Sequence, residues 1–196
     1  MTKKYNSVLI IGMGLIGSSI SRALVENHVA NSVYGLDSDD KIIKKCHDLN
    51  LLVQGETNLK NFDLQFDLII ICTPLSAYKN IFSSLSDFIS QPTLITDVGS
   101  TKMSTISDFK NAVTNTNITF VPSHPIAGLE KSGPEYGFSK LFDNRYCILT
   151  PYETNDAATS SISEMWKSIG MTVELMEADR HDRVLAMTSH IPQLIA

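Results

Sequence analysis

Ser7-Val8-Leu9-Ile10-Ile11-Gly12-Met13-Gly14-Leu15-Ile16-Gly17-Ser18 decides the fold. Its first five residues form a short apolar, β-branched run, the pattern of a strand buried on both faces. From Leu15 the spacing turns helical, with Leu15, Ile16, Ile20, Ala23 and Leu24 leading to Glu26. Between the two lies a G-x-G-x-x-G pattern in the strand-to-helix setting that gives it meaning. Gly12 allows the tight turn, Gly14 removes a Cβ where a pyrophosphate would approach, and Gly17 lets helix pack on strand. The new helix offers unpaired N–H groups and the positive end of its dipole to phosphate. Gly12, Met13, Gly14, Leu15, Ile16 and Gly17 are therefore candidate cofactor contacts.

The alternation continues outward. Strand patterns at Ser32–Leu36, Asp67–Cys72, Thr93–Asp97 and Thr119–Val121 are separated by helical patterns at Asp39–Leu49, Ala77–Ile89 and Ser100–Val113. Parallel strands need crossovers of helical length, so the expected fold is α/β, a Rossmann-type, doubly wound, mostly parallel sheet. Ser123–Phe138, with three Gly and two Pro, reads as a functional loop. A smaller unit follows: a helix at Ala157–Ile169, Gly170 as its stop, and a strand at Thr172–Leu175. Asp179–Ala196 reads as an apolar-rich helix without a closing cap. Such a helix needs a partner for its apolar face. The expected division is a nucleotide-binding domain over 1–175 and the beginning of a helical domain over 176–196.

Composition removes other classes. The 196 residues carry 16 Lys+Arg and 21 Asp+Glu, a net charge of −5, which argues against a general nucleic-acid binder. No run reaches the ~18 apolar residues of a membrane span. The basic start, Met1-Thr2-Lys3-Lys4, precedes an apolar run that glycines interrupt, so it reads as a first strand rather than a signal peptide. Cys46, Cys72 and Cys147 are odd in number and widely spaced. They suit neither a disulfide framework nor a metal site, and fit a reducing cytoplasm.

Asp37 lies 20 residues past Gly17, at the end of the second strand pattern. An acid there is expected to bond the ribose hydroxyls of NAD and to repel the 2′-phosphate of NADP. Asp39 and Asp40 add to that repulsion, and Asp39 is the expected helix cap. Ligands of such sheets sit beyond the strands' carboxyl ends. Cys72-Thr73-Pro74, Gly99, Ser100 and Lys102 fall there. Ser100 suits either a helix cap or a substrate contact. Lys102 suits an anionic substrate or plain solvation. His124, between a strand end and Pro125, is the natural acceptor for the proton lost when a carbinol is oxidised.

Together these residues resemble the prephenate/arogenate dehydrogenase family of tyrosine biosynthesis. The resemblance rests on Val8–Gly17, Asp97-Val98-Gly99-Ser100-Thr101-Lys102 and His124-Pro125-Ile126-Ala127-Gly128-Leu129-Glu130-Lys131-Ser132-Gly133. Leu141-Phe142, Cys147–Pro151, Trp166, His181-Asp182 and Ser189-His190-Ile191-Pro192 extend it over nearly the whole chain. It implies NAD-dependent oxidative decarboxylation of prephenate to 4-hydroxyphenylpyruvate, or of arogenate to tyrosine, in a cytoplasmic homodimer. It also implies that His124 accepts the C4 hydroxyl proton with Ser100 beside it. Glu130 and His190 become substrate-proximal, and His181-Asp182 a structural or relay pair.

Two departures stand out. Gln193 occupies a position where the family commonly has a His that helps bind substrate, and Gln carries no positive charge. The helical domain that forms the family's dimer is expected to be truncated here. Two alternatives follow: a non-catalytic NAD-binding fragment, or a related Rossmann dehydrogenase acting on another small hydroxy acid.

Overall fold

The computed structural model describes residues 5–153 and 155–187. Its main sheet has six strands: β1 (Tyr5–Ile11), β2 (Ala30–Leu36), β3 (Gln54–Glu56), β4 (Leu68–Ile71), β5 (Thr93–Asp97) and β6 (Ile118–Phe120). They lie in the order β3-β2-β1-β4-β5-β6, with every neighbouring pair parallel. Helices α1 (Leu15–Glu26), α2 (Asp40–Asp48), α3 (Tyr78–Phe88) and α4 (Met103–Ala112) connect them. This is the Rossmann order, which reverses between β1 and β4 and opens the ligand crevice there.

Burial on both faces follows from the alternation of side chains along each strand. Val8, Ile10, Leu68 and Ile70 join one core with Ile20, Leu24, Phe142 and Trp166. Leu9, Ile11, Ile69 and Ile71 join the other with Tyr78, Phe82, Phe109 and Phe120. In that second core Phe82 meets Phe109 edge-on at 5.3 Å, and Phe109 stacks on Phe120 at 4.8 Å. Both are favoured aromatic geometries.

A second sheet stands beside the first: β7 (Ser123–Pro125), β8 (Tyr146–Leu149) and β9 (Thr172–Leu175). β7 runs antiparallel to β8, and β9 parallel to it. Helix α5 (Asp156–Ser168) brings Trp166 into the first core, and α6 (Ala178–Leu185) follows β9.

Two expectations need correction, and one strand was not foreseen. The segment 123–138 is not all loop, because its first three residues pair with β8 and set His124 opposite Ile148. Helix α4 starts at Met103 rather than Ser100. β3 carries no strand signal, because Gln54-Gly55-Glu56 is half-buried and polar and takes its form from pairing with β2. The later part of the expected C-terminal helix, with His190 and Gln193, lies outside the described residues.

The loop after β1 is held by contacts that tolerate no side chain. Gly12 has φ +94°, and a Cβ on it would lie 2.8 Å from the Cys72 carbonyl carbon. A Cβ on Gly17 would overlap the Gly12 carbonyl oxygen. Gly14 differs, since no protein atom lies within 4 Å of where its Cβ would stand. Gly17→Ala is therefore expected to destabilise the fold by ~1–3 kcal/mol, as overpacking does. Gly14→Ala should unfold in urea within about 0.5 kcal/mol of the parent, as for a substitution that disturbs no packing.

Candidate active site

Two clefts meet at the carboxyl edge of the sheet. The larger, about 680 Å³, is bounded by Gly12, Gly14, Asp37, Thr73, Pro74 and the apolar wall of Ile42 and Ile81. The smaller, about 370 Å³, is bounded by Ile16, Thr73, Pro74, Gly99, Ser100 and His124. Thr73 and Pro74 belong to both, so the clefts adjoin at the end of β4. Cys72 lines the larger cleft but is half-buried, and burial raises its thiol pKa far above the ordinary value. Cys46, pushed up to about 11 by burial, and Cys147, also raised by burial, are equally poor nucleophiles.

Asp37 joins the phosphate loop to the end of β2. Its Oδ2 accepts from the Met13 N–H at 2.8 Å and its Oδ1 from the Asp39 N–H at 3.1 Å. Asp39 in turn caps α2, accepting from the Lys41 N–H at 2.9 Å. Both Asp37 oxygens keep a further lone pair for a ligand. The open space at Gly14 and the buried, unpartnered Oγ1 of Thr73 are what a dinucleotide would fill and satisfy. Across the cleft, Ser132, Gly133 and Glu135 of the expected functional loop close the wall, although the sequence did not place them at the cofactor end. Arg22 on α1 holds that segment by donating to the Gly137 and Pro134 carbonyls.

At the other end the site is built on a buried ion pair. The Lys102 Nζ lies 2.6 Å from Asp97 Oδ2 and donates to the Ser123 carbonyl at 2.7 Å, with both charged side chains fully buried. Desolvation pulls the Lys102 pKa down, and contact with Asp97 opposes it. The expectation that Lys102 is solvated or meets substrate is thus corrected: its ammonium is spent on Asp97 and on the strand that carries His124. Asp97 also accepts from the Gly99 and Ser123 N–H groups. Ser123 Oγ accepts from the Trp166 indole at 3.1 Å.

Ser100 is half-buried beside His124 in the smaller cleft and does not cap α4. That cap comes from 80 residues away: the Asp182 carboxylate accepts from the Lys102 N–H at 2.8 Å and the Met103 N–H at 2.9 Å. Burial works against the Asp182 carboxylate, but these bonds and His181 hold its pKa below the ordinary value. His181 is buried, its Nδ1 lies 2.8 Å from Asp182 Oδ1, and burial lowers its pKa. Its Nε2 lies 2.9 Å from His124 Nδ1. The structure therefore brings Ser100, His124, His181 and Asp182 together. Glu130 is exposed and lines neither cleft. Among the described residues, no helix is long and apolar enough to cross a membrane.

Residues 20–175 match the family model described as prephenate dehydrogenase, nucleotide-binding domain. The chain belongs to the prephenate dehydrogenase family. It is 35% identical over 193 residues to a cyclohexadienyl dehydrogenase of Zymomonas mobilis, covering 98% of this chain and 65% of that protein. It is 30% identical over 198 residues to prephenate dehydrogenase of Bacillus subtilis, covering 100% of this chain and 53% of that one. The solved structure of Aquifex aeolicus prephenate dehydrogenase, in complex with hydroxyphenyl propionate and NAD+, superposes with a TM-score of 0.90 at 32% identity. That match covers 97% of this chain and 66% of the other. The chain thus spans about half to two thirds of the length of these relatives.

Lys102→Met should cost about 3–5 kcal/mol in urea unfolding, because it leaves Asp97 buried without its counter-charge. The double variant with Asp97→Leu is expected to recover part of that loss, and a double variant no better than the single one would count against the pair.

Proposed function

We propose that this chain is the nucleotide-binding part of an NAD-dependent dehydrogenase that converts prephenate to 4-hydroxyphenylpyruvate. The observation that carries the reading is the placement of His124 and Ser100 in one cleft that adjoins the Gly14–Asp37 cleft at Thr73 and Pro74. Family membership and the NAD+ complex of the Aquifex aeolicus relative support it.

Each residue has a role in this reading. Gly14 and the N-terminal N–H groups of α1 receive the pyrophosphate. Asp37 accepts from the adenosine ribose hydroxyls and would repel a 2′-phosphate. Thr73 and Gly99 shape the passage towards His124. NAD+, when bound, supplies the hydride acceptor. His124 takes the proton of the C4 hydroxyl as the C4–H bond gives up its hydride, and Ser100 holds the same oxygen. The ring carboxylate leaves as CO2, its bonding pair completes the aromatic ring, and C4 keeps its oxygen as a phenolate that recovers the proton from His124. Aromatisation supplies the driving force, so the protein chiefly positions the reactants and removes one proton.

We further propose that residues 1–175 form the cofactor domain and that 176–196 begin a helical domain through which the whole protein dimerises. The exposed Met187, two residues past the buried Leu185, supports this, as an apolar side chain suited to a further helix. A reducing, cytoplasmic setting fits the three unpaired cysteines. Arogenate is the second substrate to test, since Gln193 replaces a cationic side chain in this reading.

The protein containing this chain, given prephenate and NAD+, should form NADH and 4-hydroxyphenylpyruvate in equal amounts. His124→Asn should keep NAD+ affinity and lose turnover by ~10²-fold or more, the range for a lost acid–base group. Turnover of neither prephenate nor arogenate would overturn the reading, and unchanged turnover in His124→Asn would remove His124 from its role.

A further inference from the structure

We propose that His181 and Asp182 are positioning residues that fix the tautomer of His124, so that its Nε2 is presented as the proton acceptor. The inference deepens the function proposed above and rests on it for its catalytic consequence, but not for its geometry.

The tautomer is set from the start of α4. Two backbone N–H groups, from Lys102 and Met103, point at the Asp182 carboxylate. A carboxylate bound by two such donors stays ionised and can only accept. His181 Nδ1, 2.8 Å from Asp182 Oδ1, must therefore carry a proton and donate it. His181 is buried, and that burial keeps it neutral. A neutral imidazole has one N–H, so the lone pair of His181 sits on Nε2. His124 Nδ1 lies 2.9 Å from that lone pair. Two lone pairs cannot form a hydrogen bond, so His124 Nδ1 is the donor. Neutral His124 then holds its proton on Nδ1 and its lone pair on Nε2.

That assignment matters because it opposes the preference of an isolated imidazole, which favours the proton on Nε2. In that form the nitrogen would offer an N–H where a base is needed. Here the backbone of α4 dictates the outcome through a carboxylate and a second ring. The same chain stabilises the charge that forms on His124. As Nε2 takes the hydroxyl proton, the Nδ1–H bond to His181 strengthens, and the Asp182 charge faces the new cation through the polarised His181. No proton need leave Nδ1, and Asp182 stays ionised throughout.

The device also constrains two domains' worth of chain. Asp182 and His181 lie on α6, and the groups they engage lie on α4 and β7. Whatever shifts α6 along α4 would break the Asp182 cap and release His124 at once.

The test is the tautomer itself. In this chain labelled with 15N at histidine, at a pH where His124 is neutral, Nδ1 should show the shift of a protonated nitrogen and Nε2 that of a bare one. His181→Leu removes the acceptor, so His124 should move to the Nε2–H form. In the protein containing this chain, kcat should then fall by ~10²-fold or more, as for other wrong-tautomer histidines, with NAD+ affinity unchanged. His181→Gln, whose amide oxygen can accept from Nδ1–H, should restore the tautomer and much of kcat. A wild-type His124 protonated on Nε2 would overturn the proposal, and needs no variant to fold. So would a tautomer indifferent to His181→Leu. The tautomer is read without substrate, so the expected shifts with no turnover of prephenate or arogenate would overturn the proposed function alone.

Discussion

The buried contact of Asp97 with Lys102 is the constraint on which the reactive end of this molecule depends. An ion pair removed from water gains little by itself, because desolvation offsets most of the attraction. Its value here is geometric. Asp97 ends β5, Lys102 precedes α4, and the Lys102 ammonium reaches the carbonyl of Ser123 on β7. One pair thus joins the main sheet, the following helix and the second sheet. The strand that presents His124 is fixed relative to the phosphate loop through it. A hydrophobic pair could fill the volume but could not bond the Ser123 backbone.

From that joint the site spreads along the sheet edge. The cofactor end is set by backbone proximity: Gly12 against Cys72, and Asp37 against the Met13 N–H. The reactive end is set by side chains from β7, α4 and α6 meeting at His124. The two ends differ in how they tolerate change. Substitutions at Gly12 or Gly17 strain the fold itself, whereas one at Gly14 meets only open space. That division matches a loop built by the protein around a position kept for a ligand.

Much of this was legible in the chain. The Val8–Gly17 stretch, the apolar run at Leu68–Ile71 and the helical spacing between them dictated a parallel sheet and its crevice, because burial on two faces leaves a continuous apolar signature. Asp39 as a cap and His124 at the ligand edge were readable from local position. What was not readable depended on contacts across the sequence. Lys102 gives no sign that its partner is Asp97 rather than water. Ser100 looks like a cap because nothing nearby reveals that Asp182 performs that task. β3 exists only by pairing with β2. The Ser132–Glu135 wall is held by Arg22, more than a hundred residues earlier, which no local pattern announces.

The most direct test of the account is a titration of this chain with NAD+ and NADP+, followed through its backbone amides. NAD+ should perturb one continuous set from Gly14 and Asp37 through Thr73 to Gly99 and His124. NADP+ should bind more weakly, and Asp37→Ala should narrow the difference. Perturbations confined elsewhere, or NADP+ held as tightly as NAD+, would contradict it.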